Sequence, residues 1–320
     1  MKGGFYFSPY GDGWHNLAAD EYFLDTLGPE SFLLYLFVDE NAVILGRNQN
    51  PWRECDLEAM DRDGVQLVRR VTGGGAVFHD GGNLNYSFLC GRDVYDPDGQ
   101  AEIILRAVRD LGVPAERSGR NDLITTDGRK FSGRAFCARG EIRQHHGTLL
   151  IRADLSRMPR YLRPSAEKLR SKGVASVQSR VCNLTELVPG LTVERVAQAL
   201  RSSCERAFGP LADFEPDGTV LAGIAPYEEK QRSWQWRFGK SPAFDFTAEG
   251  RFAWGEAQFS LSVADGTVRE AALYTDALDV ALPDRIRALC FGRRFDELAA
   301  ILSAAGDEAA DLAVLLLRPD

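Results

Sequence analysis

This 320-residue chain lacks the common nucleotide-binding fingerprints. It contains no G-x-x-x-x-G-K-[ST] run, which excludes a P-loop, and its one glycine triplet lacks the G-x-G-x-x-G spacing of a dinucleotide fold. No run of roughly 18 or more apolar residues occurs, which excludes a transmembrane helix. Six cysteines (Cys55, Cys90, Cys137, Cys182, Cys204 and Cys290) lie far apart without a C-x-x-C pair. They read as reduced and mostly structural. The opening Met1-Lys2-Gly3-Gly4 lacks the charged-then-apolar pattern of a secretory signal, so the expected compartment is the cytoplasm.

What is present is ordinary in bulk and uneven in detail. A hydrophobic content of 44% supplies ample core material, and the length fits about two domains. The net charge is −8, yet Arg117 to Arg180 holds fifteen Lys/Arg against five Asp/Glu. Such an island is either a solvated charged face or a site for an anionic ligand or acidic partner. A nucleic-acid binder is disfavoured, because few aromatics interleave with these charges and the sequence pI is about 5.2.

The most informative stretch runs from Arg69-Arg70 through Val71-Thr72-Gly73-Gly74-Gly75-Ala76-Val77-Phe78 to His79-Asp80 and on to Asn83. Glycine lets backbone approach a ligand or adopt positive φ. Three in a row beside two guanidiniums point to N–H donors and fixed positive charge facing an anion. A hairpin turn with a coincidental Arg pair is the alternative.

Apolar runs at 32–38, 42–45, 65–68, 76–78 and 85–89 predict strands, with more at 123–126, 130–135 and 148–153. Helices are expected at 17–27, 100–111 and 193–207, the last capped by Thr192. The aromatic segment from Glu228 to Phe246 reads as the exit from a large domain. Phe252-Ala253-Trp254 and 258–263 read as strands, Asp265-Gly266 as a turn, and 284–289 and 295–302 as helices. The expected fold class is therefore α+β (mixed α/β) with a small α+β unit at the end.

Four further blocks carry chemistry: Ser118-Gly119-Arg120-Asn121-Asp122-Leu123, Arg129-Lys130-Phe131-Ser132-Gly133-Arg134-Ala135, His145-His146-Gly147-Thr148-Leu149-Leu150, and Lys168 through Arg180 to Leu184. With the glycine block, Asn50-Pro51-Trp52 and the tryptophans Trp234 and Trp254, they occur in an order that resembles the lipoate–protein ligase A family. The match is to its larger bacterial form, and it covers nearly the whole chain.

The resemblance implies a catalytic domain over 1–246 of the lipoate/biotin protein ligase type, with mixed β-sheets flanked by helices, and an accessory domain over 247–320. It implies lipoate salvage by an ATP-dependent reaction. Lipoate attacks the α-phosphate of ATP to give lipoyl-AMP and pyrophosphate, and a lysine of an acceptor domain then takes the lipoyl group and releases AMP. Lys130 matches the family's catalytic lysine, touching both ATP and lipoate. Arg70, Gly75, Ala76, Val77, Phe78, Asp122 and Arg180 fall at ATP- or adenylate-binding positions, and Gly73, Gly74 and His146 at lipoate-binding ones. Asp122 is a candidate ligand for Mg²⁺, or else it orients Arg120 or caps a turn. His79 either donates to a phosphate or is a satisfied turn histidine. Gly173 and the cations from Lys168 to Arg180 correspond to the adenylate-binding loop. The implied partners are lipoyl domains of E2 subunits and the glycine cleavage H protein, with no nucleic acid or membrane, and the implied state is a monomer.

Two rivals share the architecture. An octanoyltransferase would act through a thioester on Cys137, the cysteine nearest Lys130, which needs an activated thiolate. Biotin–protein ligase is disfavoured because its Gly-Arg-Gly-Arg loop is missing. Arg134 and Cys137 depart from the family's usual residues, which bears on substrate preference.

Overall fold

The computed structural model describes residues 2–119, 122–163, 181–275, 277, 279 and 281–317. Its contacts divide the chain into two units, Met1–Ser233 and Trp234–Asp320.

The first unit is organised by β6 (Asn83–Gly91), which is buried along its whole length. Alternation sends Leu84, Tyr86, Phe88 and Cys90 to one face and Asn83, Asn85, Ser87 and Leu89 to the other. β6 lies inside an eight-stranded sheet of order β11-β1-β2-β6-β10-β9-β8-β7. The strands are β1 (Lys2–Phe7), β2 (Ser31–Phe37), β7 (Ala115–Ser118), β8 (Asp122–Thr125), β9 (Lys130–Arg139), β10 (Ile142–Leu150) and β11 (Ala212–Asp213). β1 pairs in parallel with β2 and β11, and the other neighbours are antiparallel.

The apolar face of β6 is covered by the helices Pro97–Asp110 and Val193–Phe208, whose Ile104, Val108, Val196 and Leu200 join Phe88 and Phe131 in one core. Both helices start at a side-chain cap: Asp96 accepts from the N–H groups of Asp98 and Gly99, and Thr192 from that of Arg195. The opposite, more polar face carries the Gly13–Thr26 helix, which packs Leu17, Phe23 and Leu24 on Leu33, Tyr35 and Phe37. That helix starts four residues before the expected Leu17, because the Asp12 carboxylate caps Trp14 and His15. A second sheet borders it, with β3 (Asn41–Leu45) between parallel β4 (Gln66–Arg69) and antiparallel β5 (Val77–Asp80).

One expected strand is displaced. The 148–153 segment was anticipated from its apolar residues, whereas the strand is β10, Ile142–Leu150. Arg143, Gln144, His145 and His146 hide it from a hydrophobic pattern, although β6 and β9 pair with it on both sides.

In the second unit, β12 (Phe244–Phe252), β13 (Gly255–Ala264) and β14 (Thr267–Thr275) form an antiparallel meander. Phe259, Leu261 and Val263 meet Ile286, Leu298, Leu302 and Leu312 of the helices Leu282–Cys290, Leu298–Ser303 and Asp307–Leu317. Phe252-Ala253-Trp254 straddles the β12–β13 turn instead of forming its own strand, and the Trp254 indole donates to Asp311 at 2.8 Å. The Asp265-Gly266 turn is present with positive φ at both residues. The boundary expected after 246 falls within β12. Aromatic residues of the exit segment pack within this second unit: Trp234 stacks on Phe238, lies under Arg294 and donates to Asp296.

Phe131 is fully buried in the first unit's core, one residue past Lys130. Phe131→Ala should lower unfolding stability by about 3–5 kcal/mol, as large-to-small core substitutions do, measured by urea unfolding. A loss below about 1 kcal/mol would mean that this core tolerates the cavity.

Candidate active site

The glycine loop joins β4 to β5 and is shaped by two buried arginines. Arg69, fully buried, donates through Nη1 to the carbonyls of Arg47 at 2.9 Å and Gln49 at 2.7 Å. Arg70 donates through Nε and Nη2 to the Gly73 carbonyl at 3.1 and 2.7 Å, through Nη2 to Gly75 at 2.9 Å, and through Nη1 to Ile44 at 3.1 Å. Burial pulls both guanidiniums down to about 10, which leaves them charged at neutral pH. A trans peptide holds its N–H opposite its C=O. Carbonyls of Gly73 and Gly75 turned toward Arg70 therefore turn the N–H groups of Gly74 and Ala76 away from it.

Space forces two of the glycines. Gly74 has φ +101°, and a Cβ on Gly46 would lie 1.9 Å from the Gly74 carbonyl oxygen. Gly46 belongs to no motif that marks it; only the close approach of the loop shows why it is needed.

Opposite the loop stands Lys130, at the start of β9. Its Nζ is 2.7 Å from Asp122 Oδ1, across a register in which Asp122 pairs with Gly133. A Cβ on Gly133 would come within 3.2 Å of that Nζ. The Lys130 carbonyl accepts from the Cys182 N–H at 2.9 Å, and Val181 bridges to Lys130 in parallel, so the chain returns to the main sheet beside this lysine. Gly147 is equally constrained, since a Cβ there would sit 2.3 Å from the Gly133 carbonyl and 2.5 Å from the Tyr86 hydroxyl.

His146 is 2.7 Å through Nε2 from the Thr72 hydroxyl, tying β10 to the glycine loop. Burial, aided by the charge of Arg70, pushes its pKa down to about 3, so it is neutral at physiological pH. Below it, Gln144 donates to Asp20 at 2.6 Å and to Ser87 at 3.2 Å, and burial raises Asp20 to about 7.

These groups surround one cavity of about 540 Å³. It brings together the sequence-predicted Arg70, the loop from Gly73 to Val77, Asp122, Lys130 and His146. Leu17, Phe37 and Ile44, which no motif marks, add an apolar wall. Phe78 is not in the lining. Strand alternation turns its ring toward Tyr161, 5.1 Å away, with the Arg157 guanidinium 4.9 Å from it. Arg120 and the segment from Lys168 to Arg180 lie outside the described residues. A larger depression of about 660 Å³ lies on the second unit, but it collects none of the predicted constellation.

Several arginines of the basic island pair with carboxylates where they are described. Arg160 pairs with Asp63, Arg163 with Asp56, Arg139 with Asp25, Arg117 with Asp98, and Arg129 with Asp127 and Glu186. Cys137 is half-buried outside the cavity lining, and burial pushes its thiol up.

The family described as the lipoyl protein ligase A/B catalytic domain matches residues 12–205, and the bacterial lipoate protein ligase C-terminus matches 241–307. A bipartite lipoate protein ligase solved with its E2 lipoyl domain from Thermoplasma acidophilum is 27% identical, with a TM-score of 0.67 over 74% of this chain and 96% of that one. LipL1 of P. falciparum, in complex with lipoate, is 24% identical with a TM-score of 0.66 over 99% of both chains. A lipoate-protein ligase A bound with ATP is 24% identical with a TM-score of 0.66 over 74% and 98%.

Neutral burial of His146 has a pH consequence. An unfolded histidine takes up a proton below about pH 6.5, whereas folded His146 resists protonation to about pH 3. At this site the unfolded state thus binds more protons between these values, and the contribution of His146 to stability falls as pH drops through that window. His146→Gln should flatten this decline, read as the urea midpoint between pH 7 and 4. An unchanged slope would show that His146 titrates normally in the folded protein.

Proposed function

This chain belongs to the lipoyl protein ligase A/B family, and we propose that it is an ATP-dependent ligase that activates lipoate as lipoyl-AMP and transfers the lipoyl group to a lysine of acceptor lipoyl domains. The acceptors in this reading are E2 subunits of 2-oxoacid dehydrogenases and the glycine cleavage H protein. The E2 lipoyl domain in the Thermoplasma structure supports the first of these. The match at 241–307 supports the larger bacterial form.

The observation that carries this reading is the Lys130 ammonium, held by Asp122 over Gly133 on the wall of a cavity that the glycine loop closes on another side. Both half-reactions build negative charge on phosphoryl and carbonyl oxygens. A preorganised cation and fixed N–H donors stabilise such charge without a nucleophile on the enzyme. An ammonium offers three donors from one compact charge, so Lys130 can contact the lipoate carboxylate and the α-phosphate together. The outward N–H groups of Gly74 and Ala76 supply donors, and buried Arg70 supplies positive potential behind them. Leu17, Phe37 and Ile44 fit an aliphatic acyl chain.

Mg²⁺ is a co-substrate with ATP in this reading. Among the described residues no group of three His, Cys, Asp or Glu forms a cation site. Asp122 is a single half-exposed carboxylate, which fits an ion that takes its remaining ligands from phosphate oxygens and water. Asp122 would hold that ion, and the ion would neutralise phosphate charge.

The raised Cys137 thiol supports the adenylate route over a thioester, because a transferring cysteine needs its thiolate. No helix among the described residues is long and apolar enough to cross a membrane. The reading places the enzyme in the cytoplasm as a monomer.

Lys130→Ala should reduce lipoate-dependent ATP–pyrophosphate exchange by on the order of 10²–10³, the loss typical of one preorganised charge stabiliser. Cys137→Ser should keep most of the ligase activity. Exchange within a few-fold of the parent after Lys130→Ala would remove the lysine from the chemistry. A trapped acyl-Cys137 with an inactive Ser variant would establish the thioester route instead.

A further inference from the structure

One buried pair on the cavity wall has no part in the chemistry described so far. His79, on β5, is 5% exposed, and its Nδ1 lies 2.9 Å from Oδ2 of Asp39, in the turn between β2 and β3. Asp39 is fully buried. Its Oδ1 accepts from Asn16 Nδ2 at 3.0 Å, and Asn85 Nδ2 approaches Oδ2 at 3.5 Å. Asn16 is itself fixed, donating to the carbonyls of Tyr10 and Val38 and accepting from the Ser8 hydroxyl. A carboxylate at Nδ1 selects the tautomer with its proton there and leaves the Nε2 lone pair unprotonated. Nε2 is buried and has no partner among the described residues, although His79 borders the same cavity as Lys130.

We propose that His79 is the general base of the transfer step and Asp39 its positioning residue, a proposal that rests on the ligase reading above. The acceptor lysine arrives as an ammonium and must lose protons to form an amide. Its nitrogen forms a bond to the acyl carbon as the bond from that carbon to the phosphate oxygen of the mixed anhydride breaks. The bonding pair leaves on AMP. His79 Nε2 first takes one proton from the ammonium, which frees the lone pair that attacks; the second proton leaves the nitrogen for solvent as the amide forms, and the imidazolium, steadied by Asp39, later gives up its proton to solvent. The first half-reaction requires no such proton transfer, because lipoate attacks as its carboxylate. Lys130 cannot serve as the base while it remains a cation.

The two half-reactions separate the roles. In His79→Gln, single-turnover transfer from purified lipoyl-AMP to a lipoyl domain should fall by about 10²–10³, within the range for a lost general base. Transfer should fall at least about ten-fold more than lipoate-dependent ATP–pyrophosphate exchange in the same variant, and the exchange that remains shows that the variant folds. The parent's transfer rate should level off with rising pH. The variant's should keep climbing with unit slope as the free amine fraction grows. Asp39→Asn should depress transfer with little change in acceptor KM, and added imidazole should restore transfer in His79→Ala. Equal losses in both half-reactions, or a variant with the parent's pH profile, would overturn the assignment. Parent exchange, measured alongside, keeps that outcome separate from a failure of the ligase reading.

Discussion

The site depends on one buried cation. Arg70 has little water around it, and its charge is stabilised by the carbonyls of Ile44, Gly73 and Gly75. Removing those carbonyls would leave an uncompensated charge at a cost of several kcal/mol, so the loop closes around the guanidinium. Everything on that wall follows. Carbonyls that point in require N–H groups that point out, Gly74 must take a positive φ, and Gly46 must lack a side chain. The same charge helps to keep His146 neutral, so that it meets the Thr72 hydroxyl as a hydrogen-bonding group and not as a second cation.

The main sheet explains why the cavity lies on one side. The face of β6 bearing Leu84, Tyr86 and Phe88 is sealed by two long helices. The other face presents Asn85 and Ser87 beside Gln144 and His146 of β10, a surface too polar to be closed by apolar packing alone. Leu17 and Phe37 cover part of it, and the glycine loop and Lys130 border the gap. Glycines at 133 and 147 let β9 and β10 come together there without side chains filling the space, and Lys130 reaches across the opening left at Gly133.

Much of this was legible before any coordinates. The Arg-Arg-x-x-Gly-Gly-Gly block, Lys130 before Ser132-Gly133, and His146 converge on one cavity, and the periodicity of β2, β3 and β6 located those strands. What stayed hidden has physical reasons. β10 starts early because its histidine and glutamine find hydrogen-bond partners distant in sequence, Gln100 for His145 and Asp20 for Gln144. The Phe78 side chain turns away because position parity along β5 is set by pairing with β3, not by the loop motif. Four arginines of the 117–180 span, Arg117, Arg139, Arg160 and Arg163, meet Asp98, Asp25, Asp63 and Asp56, all outside it, so a charge count over a stretch of sequence does not give the unpaired charge of a surface.

In the proposed function Lys130 and the glycine loop together hold an acyl-adenylate. A crystal structure with a non-hydrolysable lipoyl-AMP analogue tests it most directly. Lys130 Nζ should bond both the acyl oxygen and a phosphoryl oxygen, with the loop N–H groups of Gly74 and Ala76 directed at the ligand. A ligand bound elsewhere, or one in this cavity with Lys130 still paired only to Asp122, would contradict the account.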